Sequence, residues 1–510
     1  MRRPEDRDRH VHLPLLSLVT FLPLLGALAL LLLRGETAQA TARQVALWTS
    51  LVVFVLSIFL WLGFDPNRPG FQFQERARWM SGFGVSYHVG LDGISLLFVL
   101  LATALTPVAV LGSWRIAGDR VRDYMLTLLL LETTLIGLFS ALDFIVFYVF
   151  FEATLIPASL LIGIWGSSAR RVTASVRFFL FTFGGSLFML IALLVMWHIA
   201  GTTDIPVLLR THFAPATQMW MFVCLALAFG VKLPLFPLHG WMPDAYTEAP
   251  APAAVLISGV LSKAGAYGFL RFSIGMLPDA AQRAAPWMIG LGIIAVIYAA
   301  IIALVQTDMK RLVAYSSFSH MGLILVGLFT LNGPGINGAL FQMLSHGIII
   351  AALFLMVGML GGRIGSRETA RFGGVAHRMP VLATLLMLFA MANVGLPGTG
   401  AFVGELLVMI GAIQIGFWVA LLSGMGMIVG AVYMLVMVRR VMFGAASGLV
   451  AALRDLNARE RAVLVPLAVV TLWMGVHPSS FTRVFNPTVE VLAQSYGHGY
   501  PAPHPVVAAR

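Results

Sequence analysis

Roughly fourteen stretches of about 20 mostly apolar residues follow one another along this 510-residue chain, and that pattern decides which solvent it folds in. A helix needs about 20 such residues to cross a bilayer. Inside hydrocarbon every backbone amide must be bonded within a helix or a closed barrel, and a barrel would show short alternating segments instead. The chain therefore reads as an all-α polytopic membrane protein. Its charge agrees, since only 11% of residues are charged and 59% are hydrophobic, against about 25% charged in soluble domains. The net charge of +11 does not point to nucleic acid, because the basic residues sit in short clusters between apolar runs, as at Arg170-Arg171, Lys310-Arg311 and Arg439-Arg440. That is the loop pattern of the positive-inside rule. Comparing alternate loops places both termini outside, although Arg2, Arg3, Arg7 and Arg9 in the N-terminal tail count the other way. The first run, 13–33, is long for a cleaved leader and is read as a retained helix.

Two runs are too long and too interrupted to be continuous helices. Residues 217–249 contain Lys232-Leu233-Pro234-Leu235-Phe236-Pro237, and residues 380–413 contain Asn393-Val394-Gly395-Leu396-Pro397-Gly398. Proline removes a backbone donor and clashes with the preceding turn, and glycine weakens a helix. Paired broken helices are the sequence pointer to an inverted-repeat transporter. Glu152 and His320, and likewise Lys232 and Glu405, are separated by similar lengths of chain. The organisation expected is residues 1–121 as three N-terminal helices, five-helix units at 122–276 and 286–443, and a C-terminal helix and tail at 444–510. The helix carrying Glu152, at 142–165, is expected to be unbroken.

The basic residues are 30 arginines and three lysines, Lys232, Lys263 and Lys310. Lys310 alone has a charged sequence neighbour, so Lys232 and Lys263 are the two expected inside the membrane. Lysine can release its proton when desolvated, whereas arginine effectively cannot. An ionisable group at the bilayer centre costs about 2.5–3.5 kcal/mol on insertion scales, so each is a functional candidate needing a partner. Glu152 lies among aromatic and aliphatic residues, and Lys232 lies where the first break frees carbonyls. Together they make a two-position switch: close together, the lysine keeps its proton; apart, it tends to give it up. Lys263, flanked by Ser262, Gly265 and Gly268, suits a central relay. His320 and His346 can each take and give a proton near neutral pH. Glu405, just past the second break, suits a terminal proton site. Glu132 is a further intramembrane carboxylate, with hydrogen bonding to Thr133 or Thr134 as its plainer role. Asp244 and Glu248 read as entrance residues, and Asp92, Asp143 and Asp308 as caps or loop anchors. Static salt bridges, a snorkelling lysine and packing histidines are the structural alternatives.

The lone cysteine, Cys224, excludes an intrachain disulfide and a Cys-rich cluster site. His239 has no metal-ligand spacing. No phosphate loop, dinucleotide fingerprint or hydrolase elbow is present, so NADH, flavin and ATP are not expected to bind here.

The segment Lys232 through Pro237-Leu238-His239-Gly240-Trp241-Met242-Pro243-Asp244-Ala245 to Glu248-Ala249-Pro250 resembles the signature of the proton-pumping antiporter-like subunits of NADH:quinone oxidoreductase, respiratory complex I. Lys263-Ala264-Gly265-Ala266-Tyr267-Gly268 and Asp308-Met309-Lys310-Arg311-Leu312-Val313-Ala314-Tyr315-Ser316-Ser317 match it too, so the resemblance spans roughly 80–445. Glu405 stands where the sister L and N chains carry lysine, and Ser319-His320-Met321-Gly322 and Gly90-Leu91-Asp92-Gly93 also resemble the M branch. Gly240, Tyr246 and the segment Ala251-Pro252-Ala253-Ala254-Val255 depart from the pattern, and the last leaves the start of that helix open. The resemblance implies that Glu152 and Lys232 form the input pair, Lys263 the central lysine and Glu405 the exit, with His320 on a hydrated path. It implies a bacterial inner-membrane subunit whose neighbours include the L and N chains, with flavin, iron–sulfur clusters and quinone in partner subunits. A cation/proton antiporter or membrane-bound hydrogenase subunit, and a structural subunit without a proton path, are the other readings.

Overall fold

A computed structural model describes residues 14–33, 38–68, 70–115, 118–445 and 448–497. The arginines at positions 2, 3, 7 and 9 that bear on orientation, and Leu13 at the start of the first run, lie outside the described residues.

Twelve helices among them are long and apolar enough to cross a membrane, thirteen if a bent C-terminal pair counts as one span. Two shorter apolar helices, Pro380–Asn393 and Gly400–Ile415, fill the run expected at 380–413, so all fourteen runs are helical. In chain order the helices are α1 (Leu15–Leu32), α2 (Ala38–Gly63), α3 (Gly93–Gly112), α4 (Val121–Ser140), α5 (Phe144–Trp165), α6 (Arg171–Ala200), α7 (Pro215–Lys232), α8 (Met242–Glu248), α9 (Ala251–Ile274), α10 (Pro278–Leu304), α11 (Met309–Phe329), α12 (Gly333–Ile364), α13 (Pro380–Asn393), α14 (Gly400–Ile415), α15 (Phe417–Met442), α16 (Ala458–Val476) and α17 (Ser479–Gln494). The helix left open at 251 begins there.

Polar caps fix where several helices start. Asp92 accepts from the amides of Ile94 and Ser95 at 3.2 and 2.9 Å, and Ser95 Oγ in return accepts from the Asp92 amide. Asp143 accepts from the Ile145 amide at 2.9 Å, and Asp308 from the amides of Lys310 and Arg311 at 2.7 and 3.1 Å. Each side chain satisfies amides that have no partner within the helix.

α9 and α11 are enclosed on all sides, whereas α2 and α15 turn residues such as Trp48, Phe59, Trp418 and Ile428 outward. The ionisable groups expected within the bundle cluster around that enclosed centre.

The expected breaks are both present. α7 ends at Lys232, and a non-helical link containing a cis Phe236–Pro237 bond leads to α8. α13 ends at Asn393 and α14 starts at Gly400, with Gly395 at φ 85° and Gly398 at φ 89° between them. A β-carbon on Gly395 would strike the Glu405 carboxylate, so glycine is required there by both backbone and space.

Other features depart from the sequence reading. α5 is irregular at Thr154 rather than unbroken, three residues before Pro157, which cannot donate to the Ala153 carbonyl. α9 has two π-helical turns, Ile257–Leu261 and Phe269–Ile274, on either side of Lys263. A two-stranded antiparallel hairpin, β1 (Gln72–Met80) and β2 (Val85–Leu91), precedes α3. Glu75 on β1 accepts from the amides of Leu16 and Ser17 at 2.8 and 3.0 Å, capping α1. His88 on β2 and Arg76 on β1 both bind Asp204, at 3.0 and 3.2 Å, in the loop after α6. Burial pushes the Asp204 carboxyl up, but His88 and Arg76 outweigh it and hold it below the usual carboxylate range. Among the described residues the C-terminal region holds two long helices instead of one, α16 and α17, bent by 62°.

Candidate proton path

The sequence places Lys232, Lys263, His320, His346 and Glu405 inside helices, and the structure buries all five. They fall into two regions of unlike character.

In the first region, Lys232 Nζ is drawn to the turn of α5. It donates to Thr154 Oγ1 at 3.2 Å and sits 4.7 Å from the centre of the Phe151 ring. Glu152 is only half-buried, with Ser186 of α6 as its polar neighbour, and its Oε1 has no hydrogen bond. The two groups feel one another's charge but form no ion pair within 4.0 Å. The expected input pair is therefore near but open.

The second region is more tightly packed. The π-turn of α9 brings the Ser258 carbonyl over Lys263 Nζ, which donates to it at 2.7 Å and to Ser262 Oγ at 3.2 Å. The same Nζ lies 2.9 Å from His346 Nδ1. An ammonium donating there requires His346 to carry its proton on Nε2, an atom with no partner among the described residues. The His346 and His320 ring centres are 5.2 Å apart. His320 Nδ1 faces the Ser316 carbonyl at 2.8 Å, and its Nε2 faces the Asn393 carbonyl at 3.1 Å and Glu405 Oε1 at 3.3 Å. Both nitrogens meet acceptors only, an arrangement that the doubly protonated ring satisfies. Gln342 Nε2 also approaches Glu405 Oε1, at 3.4 Å, and Asn393 Nδ2 donates to Ser316 Oγ at 2.8 Å. A narrow cavity touching Ser319, His320, Asn393, Glu405 and Ser423 adjoins this end, between α10, α11 and α15.

Close packing makes the juxtaposition possible. A β-carbon on Gly265 of α9 would lie 2.6 Å from the Leu233 amide and 2.7 Å from the Phe229 carbonyl, so α9 meets α7 beside Lys232 almost backbone to backbone.

The other candidates fare differently. Glu132 on α4 is fully buried, with both oxygens unpartnered among the described residues. Thr133 and Thr134 do not serve it, because their hydroxyls donate to their own helix at Leu129 and Leu131. Asp244 is clamped by Arg177 at 2.6 Å and Arg311 at 3.7 Å. Glu248 is buried and accepts from the Ser168 amide at 3.0 Å. Lys310, expected at a loop, is also buried at 3% exposure. Its charged neighbour Arg311 hid this, because the two residues point differently from one helix start. Thr154, Ser258 and Gln342 were not singled out, since hydroxyls and amides inside apolar helices give no signal until their partners are known.

Residues 141–430 match the family model described as NADH:quinone oxidoreductase/Mrp antiporter, transmembrane. The chain is 44% identical over 499 residues to NADH-quinone oxidoreductase subunit M of Rhodobacter capsulatus, covering 94% of this chain and 97% of that one. The chain belongs to the M-subunit family of NADH:quinone oxidoreductase. A chain of respiratory complex I from Thermus thermophilus superposes on this M-family chain with a TM-score of 0.87 and 34% identity, covering 95% and 100% of the two. A chain of the Mrp complex from a Dietzia species shares the fold, with a TM-score of 0.79 at 23% identity, over 96% of this M-family chain and 52% of the other. It is thus an antiporter-like, multi-pass membrane subunit of complex I.

Proposed function

We propose that this subunit carries protons across the bacterial inner membrane along Glu152, Lys232, Lys263, His346, His320 and Glu405, driven by electron transfer from NADH to quinone in partner subunits. Two half-channels, in residues 122–276 and 286–443, meet at Lys263. Electron transfer changes the electrostatics along the membrane arm, opens or closes the Glu152–Lys232 separation, and shifts the proton affinity of Lys232. The proton released by Lys232 passes to Lys263. His320 first gives its Nε2 proton to the Glu405 carboxylate, which releases it through the adjoining cavity. The neutral His320 ring can then take the proton that His346 gives up from Nε2–H as Lys263 hands one to His346 Nδ1. The sister L and N chains are the expected neighbours, and flavin, iron–sulfur clusters and quinone belong to partner subunits.

The observation that carries this reading is the succession of close groups from Lys263 Nζ to His346 Nδ1 at 2.9 Å, across 5.2 Å between the two imidazole ring centres, and from His320 Nε2 to Glu405 Oε1 at 3.3 Å. Proton uptake by vesicles holding the whole complex, driven by NADH oxidation, tests it. Lys263→Met and Glu405→Gln should each lower pumping severely at normal assembly. Undiminished pumping in either removes that residue from the path.

A further inference from the structure

On the arginine-rich face, the ends of α3, α11, α12 and α16 and the start of α9 surround a cleft of about 1120 Å³. At roughly 30 Å³ per molecule it has room for tens of waters. Its wall cations are nearly all arginine, and two are tied down: Arg363 to Glu460 at 2.7 Å, and Arg367 to Asp308 at 3.1 Å. At its inner end stands Lys310, whose Nζ donates to the Ala249 carbonyl between α8 and α9. Arginine holds its proton under all physiological conditions, whereas a desolvated lysine can release one. The chain has three lysines, and the other two lie on the proposed path. Lys310 is therefore the single cation of the cleft able to pass a proton on.

Groups that can receive it follow along α8. The buried Glu248 carboxylate acts on Lys310 electrostatically. The Tyr246 hydroxyl is fully buried and has no hydrogen-bond partner among the described residues. Ser262 Oγ accepts from Lys263 Nζ.

We propose that this cleft is an aqueous port supplying protons to Lys263 beside the supply from Lys232, with Lys310 as its first protein carrier. A hydronium in the cleft protonates the neutral Lys310 amine. The ammonium then gives a proton to the Glu248 carboxylate, from which it passes inward to the neutral Lys263 amine. This route rests on the proposed role of Lys263.

The test uses the whole complex in vesicles. Lys310→Arg keeps the charge and the bond to Ala249 but cannot release a proton, and is expected to lower NADH-driven pumping several-fold. Gly362 lines the cleft, and a β-carbon there would meet nothing within 4 Å. Gly362→Cys should pump normally until a bulky, charged thiol reagent plugs the cleft, and then lose pumping several-fold. Wild-type complex treated alike controls for Cys224. Undiminished pumping by Lys310→Arg, or by labelled Gly362→Cys, overturns the port. Lys263→Met run in parallel separates the two claims: if it is impaired while the cleft variants pump normally, only the port fails; if it pumps normally, the proposed function fails first.

Discussion

The two halves of the candidate path hold the same kinds of group under opposite conditions. Around Lys263 and Glu405, polar atoms are in contact or one ring apart, and each nitrogen of His320 meets an oxygen acceptor. Around Glu152 and Lys232, charges sit apart, Lys232 leans on a hydroxyl and an aromatic face, and one carboxylate oxygen of Glu152 has no hydrogen bond. A contiguous chain of donors and acceptors conducts, whereas a separated ion pair at low dielectric stores a large, distance-dependent energy. The comparison assigns conduction to the second region and switching to the first.

Breaking the contact chain should have the largest effect. His346→Ala removes the ring between Lys263 and His320 and is expected to lower pumping by roughly a hundredfold or more, the scale of a lost proton-transfer group. His346→Gln, which keeps polarity without relaying a proton in the same way, should rescue assembly but not pumping. Vesicle proton uptake beside complex abundance separates the two outcomes.

A smaller effect is expected at the switch. Thr154→Val removes the hydrogen bond that Lys232 Nζ makes among the described residues, worth about 1.5–3 kcal/mol for a charged group. The ammonium should then move toward Glu152, and pumping should fall a few-fold while NADH oxidation continues. Full pumping in this variant would show that the open arrangement is not held by Thr154.

Much of the contrast could be read from residue order, and some could not. Long apolar runs give the helices, and clustered proline and glycine give both breaks, because those residues act on the chain locally. The hairpin escaped because Val85–Leu91 runs directly into the apolar stretch of α3. The π-turns of α9 escaped because one extra residue per turn leaves apolar composition unchanged. Lys263, His320 and Glu405 stand out as ionisable groups in apolar runs. The place of His346 between two of them depends on α9, α11 and α12 meeting, which no local pattern encodes. Glu152 has only aromatic and aliphatic neighbours in sequence, yet it stands half-buried.

Gly395→Ala sharpens the comparison from another side. It strains a backbone at φ 85° and drives a methyl group into the Glu405 carboxylate. Pumping should fall modestly while the Glu152–Lys232 region is unaffected, as read by the response to Thr154→Val in the double variant. Independent sites predict additive effects.

The smallest effect lies outside the membrane. Asp204 is held below its ordinary range by His88 and Arg76, so its contribution to anchoring the hairpin is complete at neutral pH. That contribution disappears as pH falls through the lowered value, on the acid side of the ordinary carboxylate range. Amide exchange in β1 and β2 should quicken there by an amount worth about 1 kcal/mol. In Asp204→Asn the exchange should already be quick at neutral pH, with that acid-dependent step gone.

The most direct test is NADH-driven proton uptake by vesicles holding the whole complex with Lys263→Arg. The substitution keeps a cation beside Ser258 and His346 but cannot give up its proton. Loss of pumping with normal assembly and continued NADH oxidation is the expected result. Pumping equal to wild type would show that Lys263 only needs to be charged, and would contradict a path that runs through its deprotonation.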